Sequence, residues 1–79
     1  MALCITITKL EESSLFADYT FADPETEVGV LRLNKSTGDV DLLQAASNDT
    51  SGIRFRSAAT KLMLHWRDGE FPDKTFWAS

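Results

Sequence analysis

The stretch EVGVLRLNKSTGDVDLLQ, residues 27–44, decides the fold. Leu31 and Leu33 fall on one face of an alternating segment, and Val28 and Val30 on the other. That period of two with branched residues predicts a strand over 27–33. Asn34-Lys35-Ser36-Thr37-Gly38 is hairpin-loop chemistry, best built on a type I turn with Gly38 at positive φ. A returning strand over 39–44 then points Val40 and Leu42 inward. Gly29, inside the first strand, marks either a bulge or a close neighbour.

The same period extends towards the N-terminus. Leu3, Ile5 and Ile7 alternate with Cys4, Thr6 and Thr8, which predicts a strand over 2–9. Leu15, Ala17, Tyr19 and Phe21 alternate with Phe16, Asp18 and Thr20, which predicts another over 15–22. Glu11-Glu12-Ser13-Ser14 reads as a polar break between the two. Asp23-Pro24-Glu25-Thr26 reads as a turn.

Towards the C-terminus the period changes. Phe55, Ala58, Ala59, Leu62, Met63 and Trp66 form one helical stripe, with Arg54, Ser57, Lys61 and Asp68 opposite, so residues 51–68 are expected to be a helix. Asp49, Thr50 or Ser51 can cap its start, and Gly69 and Pro72 end it. Residues 70–79 are then left as a short aromatic tail carrying Phe71, Phe76 and Trp77.

These elements make one α+β domain spanning residues 1–79, with a four-stranded antiparallel sheet in the order ββββα and the helix packed on one face. The other face would carry Thr6, Thr8, Asp18, Thr20, Arg32 and Asp41. With 79 residues, 43% hydrophobic and 25% charged, the chain has the composition of one small globular core. Met1–Lys9 lacks a basic segment followed by an apolar run, and no apolar stretch is long enough to span a bilayer. With a single cysteine, Cys4, this points to the cytoplasm.

The counts also limit the chemistry. One cysteine cannot form an internal disulfide, and one histidine with it cannot complete a zinc site. Cys4 and His65 lack the motif context of a nucleophile and its base, and nothing in the sequence orients the imidazole. Asp39 and Asp41 share a strand face, but their spacing does not match a calcium loop. Arg54, Arg56, Lys61 and Arg67 form a basic helix patch without a phosphate-binding loop. No catalytic residue, metal or cofactor is therefore expected, and the chain reads as a non-enzyme.

Charge gives the functional expectation. The net charge is −4; residues 1–50 carry three basic and nine acidic residues, and residues 51–79 carry five and three. An acidic front half disfavours nucleic acid and anionic membrane as partners and suits a basic protein. The expected function is a small acidic protein-interaction module, an inhibitor or immunity-type protein that neutralises a basic toxin or nuclease. Its expected contact residues are Asp18, Asp39 and Asp41, with Glu25 and Glu27 at the rim. The alternative is a homodimeric scaffold joined through Phe76 and Trp77, since consecutive residues of an extended tail cannot both point inward.

Overall fold

The computed structural model describes residues 4–24, 27–47 and 49–78. Four strands, β1 (Cys4–Glu12), β2 (Phe16–Ala22), β3 (Gly29–Asn34) and β4 (Val40–Gln44), precede helix α1 (Ile53–Arg67), and a fifth strand, β5 (Lys74–Ala78), follows it. They form one antiparallel sheet in the order β4-β3-β2-β1-β5. The α+β class expected from the hydrophobic periods is the one found.

Two expectations about the sheet are corrected. It has five strands, and the element order is ββββαβ instead of ββββα. The supposed tail is β5, which adds to the free edge of β1 with Ile5 opposite Trp77 and Ile7 opposite Thr75. A meander of β1 to β4 leaves that edge of β1 unpaired, and α1 carries the chain back to it. Only this long-range pairing makes residues 74–78 a strand. In addition, β1 does not break at Glu11 but runs to Glu12 through a bulge between Lys9 and Glu11. The bulge accommodates one unpaired residue and lets the strand continue past the point where its alternation fails.

The β3–β4 hairpin forms as its residues require. Gly38 adopts φ 79°, a conformation open to glycine at little cost. The Asn34 side chain accepts the Ser36 and Thr37 amides at 2.9 and 3.2 Å, which closes the turn. Gly29 resolves to the close-neighbour reading: a Cβ there would collide with the Phe21 ring and lie 2.8 Å from the Ala46 backbone nitrogen.

Ile5, Ile7, Ala17, Tyr19, Phe21, Leu31, Ala46, Ala58 and Leu62 form the core, with Val40, Phe55 and Trp77 packed against it. The helix is Ile53–Arg67, shorter than expected, because the backbone is left-handed at Gly52. Asp49 supplies the cap from outside the helix: its two carboxylate oxygens accept the Arg54 and Phe55 amides at 3.0 and 3.1 Å. Three residues assigned inward by period alone are exposed, Leu15 ahead of β2, Leu42 on the edge strand β4 and Met63 on the flank of α1.

The link from α1 to β5 is held by side chains from other elements. The Tyr19 hydroxyl donates to the Pro72 carbonyl at 2.9 Å, and Lys9 Nζ donates to the Phe71 carbonyl at 2.8 Å. Lys35 Nζ lies 4.8 Å from the centre of the Phe71 ring. The Trp66 indole donates to the Lys35 carbonyl at 2.8 Å, which ties the last turn of α1 to the hairpin tip.

Candidate functional site

Helix α1 covers one face of the sheet. Among the described residues no element packs on the other. Register places Thr6, Thr8, Thr20, Val30, Lys74 and Phe76 on this open face, together with one row of charges. Glu11 of β1 stands opposite Asp18 of β2, Asp18 opposite Arg32 of β3, and Arg32 opposite Asp41 of β4. Three carboxylates and one guanidinium thus cross four strands in line.

The middle of the row is locked. Arg32 donates to both oxygens of Asp18, Nε to Oδ1 at 2.8 Å and Nη2 to Oδ2 at 3.0 Å. The planar guanidinium matches a carboxylate in this two-pronged arrangement. The guanidinium also lies 5.0 Å from the centre of the Phe16 ring, within cation–π range. Asp18 is 8% exposed, so its charge is buried beneath Arg32. The hydrogen bonds from Arg32 to Asp18 raise the guanidinium's pKa most; the charges of Asp18, Glu11 and Asp41 add to the effect. The ends of the row, Glu11 and Asp41, are exposed. A hollow of about 170 Å³ opens beside the row, lined by Glu11, Glu12, Ser13, Phe16, Asp18 and Arg32.

Glu12 belongs to a separate cluster. Lys35 and Lys9 both reach it, at 2.5 and 2.7 Å, and together hold its carboxyl down at about 2. Lys9 is raised, first by its hydrogen bond to Glu12. This cluster fixes the ends of β1 and β3 to the segment after α1.

The expected contact residues are distributed unevenly. Asp18 and Asp41 meet in the row, joined by Arg32. Asp39 is exposed one residue before β4, at the hairpin turn, where its amide donates to Thr37 Oγ1 at 3.2 Å. Glu27 is exposed beyond the opposite end of β3, its amide donating to Ser47 Oγ at 2.8 Å. It therefore does not join Asp39 and Asp41 in one patch. Glu25 lies outside the described residues. Glu11, read from sequence as part of a strand break, is the row member that reasoning missed. Its place opposite Asp18 exists only because the bulge at Lys9/Glu11 shifts the register.

Phe76 and Trp77 point to opposite faces. Trp77 packs against the core, while Phe76 projects from the open face and is 62% exposed. Cys4 is exposed at the start of β1 opposite Ala78, on the open face, whereas His65 is on α1; the sheet separates them. His65 instead has Glu70 Oε1 3.1 Å from Nδ1 and Thr75 Oγ1 3.1 Å from Nε2. This chain of hydroxyl, imidazole and carboxylate pins β5 to the last turn of α1, on the face away from the hollow. Within the basic patch, Arg54 is paired with Asp23 and Asp49, and Arg56 donates to the Ser51 carbonyl at 2.9 Å.

No helix among the described residues is long and apolar enough to cross a membrane. No protein family, curated protein or solved structure matches this chain.

Proposed function

We propose that this chain is a non-enzymatic protein-interaction module of the cytoplasm that docks a basic partner on its open sheet face, an inhibitor of the kind that neutralises a cationic toxin or nuclease. The observation that supports this reading is the row Glu11–Asp18–Arg32–Asp41 on a face that no described element covers. The Asp18–Arg32 lock holds the row in place, leaving Glu11 and Asp41 as the carboxylates presented outward. Asp39 extends the acidic edge at the adjoining turn. Phe76 supplies an exposed aromatic contact on the same face. A net charge of −4 adds long-range attraction, which raises the rate of encounter with a cationic surface.

The test is capture of partners from native lysate at low and moderate salt, followed by association kinetics with the captured protein. The Asp39→Lys/Asp41→Lys double variant should associate more slowly, and its rate should depend less on salt. Capture of an acidic partner, or kinetics unchanged by the double variant, overturns the assignment.

A further inference from the structure

Helix α1 carries the opposite charge to the open sheet face. Its sequence, IRFRSAATKLMLHWR, contains Arg54, Arg56, Lys61 and Arg67 and neither aspartate nor glutamate. Arg54 is engaged within the fold by Asp23 and Asp49. Arg56 uses one donor on the Ser51 carbonyl at 2.9 Å, and a guanidinium has several more. Among the described residues the side chains of Lys61 and Arg67 have no ionic or hydrogen-bonded partner. A solvated helix offsets its cations with acids three or four positions away. Within α1 there are none, and the first carboxylate beyond it, Asp68, lies at the C-cap.

The outer side of the same helix is apolar at its crest. Ile53, Met63 and Leu64 are 45%, 48% and 42% exposed. Ala58 and Leu62 mark the buried side. At about 100° per residue, Ile53, Ser57, Thr60 and Leu64 fall within about 60° of one another on the side opposite to them. Ile53 and Leu64 end this crest about 16 Å apart, with the smaller Ser57 and Thr60 between them. Thr60 turns its hydroxyl back to the Arg56 carbonyl at 2.8 Å, so it adds no free donor to the crest. Arg56, Met63 and Arg67 line one flank and Lys61 the other.

We propose that the outer side of α1 is a second interaction surface, which docks an acidic amphipathic helix of another protein. The apolar crest selects a partner with apolar side chains, and cations on both flanks select carboxylates around them. The dip at Ser57 and Thr60, closed at each end by Ile53 and Leu64, admits a large apolar side chain, as in the packing of one helix's ridges into another's grooves. Carboxylates beside that ridge then reach Arg56, Arg67 and Lys61. A nucleic-acid backbone matches the surface less well. Three cations are few beside the roughly six to ten phosphate contacts of a tight binder, and phosphates leave the crest without a partner. An anionic bilayer repels a chain of net charge −4, and a neutral one leaves the cations unpaired. The acidic row lies on the opposite side of the sheet from α1, so the two surfaces do not compete, and this proposal stands whether or not the row binds a basic partner.

The test is fluorescence anisotropy with a labelled helical peptide of about 20 residues, built from glutamate, alanine and leucine with the leucines at helical spacing. A scrambled peptide of the same composition, a DNA duplex and phosphatidylserine vesicles serve as comparisons. The amphipathic peptide should bind saturably and more weakly as salt rises. The Arg56→Glu/Lys61→Glu/Arg67→Glu variant should bind it at least about tenfold more weakly, since three charge pairs are lost and replaced by repulsion. Ile53→Gln/Leu64→Gln, which keeps the charges, should also weaken binding by about tenfold or more. All these positions lie on the outer side of α1, so both variants should keep the wild-type circular dichroism. Absence of saturable binding by the amphipathic peptide overturns the proposal. So does equal binding of the scrambled peptide, which would reduce the surface to its charge, or an affinity unchanged in both variants, which would place the contact elsewhere. Tighter binding of the duplex or the vesicles than of the peptide, lost in the charge variant, would assign the surface to phosphate instead and overturns it as well.

Discussion

Replacing Gly38 by alanine tests how the β3–β4 turn and the helix constrain one another. Two costs are separable. The backbone at Gly38 has φ 79°, and holding an L-residue with a Cβ in the left-handed region costs about 1–2 kcal/mol. The new Cβ would also lie 2.7–2.9 Å from three atoms of the Trp66 ring, closer than carbon atoms pack. Trp66 cannot withdraw freely, because its indole N–H is bonded to the Lys35 carbonyl at 2.8 Å. Overpacking of this kind costs about 1–3 kcal/mol. The sum, about 2–5 kcal/mol, is comparable with the whole stability of about 3–5 kcal/mol expected for a core of this size. Urea unfolding should therefore show a midpoint lowered by at least ~1–2 M for a small domain, or no folded baseline at all. Making the same change in a Trp66→Leu background separates the two costs. The steric share should vanish and the backbone share of about 1–2 kcal/mol should remain. A Gly38→Ala protein within about 0.5 kcal/mol of wild type, the usual scatter for surface substitutions, would refute both the turn conformation and the Trp66 contact.

Other perturbations test the charge clusters and the latch. Glu12 is held at about 2 against an ordinary 4.5, so its pairing with Lys35 and Lys9 stabilises the fold above pH 4.5. That contribution is lost as pH falls from 4.5 towards 2. Urea midpoints of wild type and Glu12→Gln should accordingly differ at neutral pH and converge on acidification. Arg32→Ala should destabilise more than Asp18→Ala, because the first leaves a buried carboxylate without its partner and the second frees a half-exposed guanidinium to water. Equal midpoints for the two variants would contradict the burial of Asp18. Tyr19→Phe removes the hydrogen bond to the Pro72 carbonyl and should cost about 0.5–1.5 kcal/mol. Amide exchange should accelerate most in β5.

The local elements of this protein were legible in its residues because their causes are local. Alternation of branched residues, an Asn-to-Gly turn and a helical stripe each act over a few neighbours, and β1 to β4 and α1 appear where those patterns lie. The uncovered face with Asp18, Arg32 and Asp41 followed from the same alternation. Glu11 did not: its position depends on a bulge, and a bulge is a compromise between β1 and the two strands on either side of it. Met63 and Leu15 obey the apolar period and are still exposed, because period assigns a face, whereas the extent of the opposing layer decides whether that face is covered.

Sequence alone thus determined the α+β class, the hairpin at Gly38, the helix and the acidic balance. Tertiary structure alone decided that residues 74–78 are a strand and that His65 meets Glu70 and Thr75, and the structure selects Asp49 from the three caps the sequence offered for α1. Five residues near a chain end have no period long enough to read. Their conformation is set by the free edge of β1, more than seventy positions away in the chain at Cys4 opposite Ala78, which supplies the backbone partners that make an extended segment a strand.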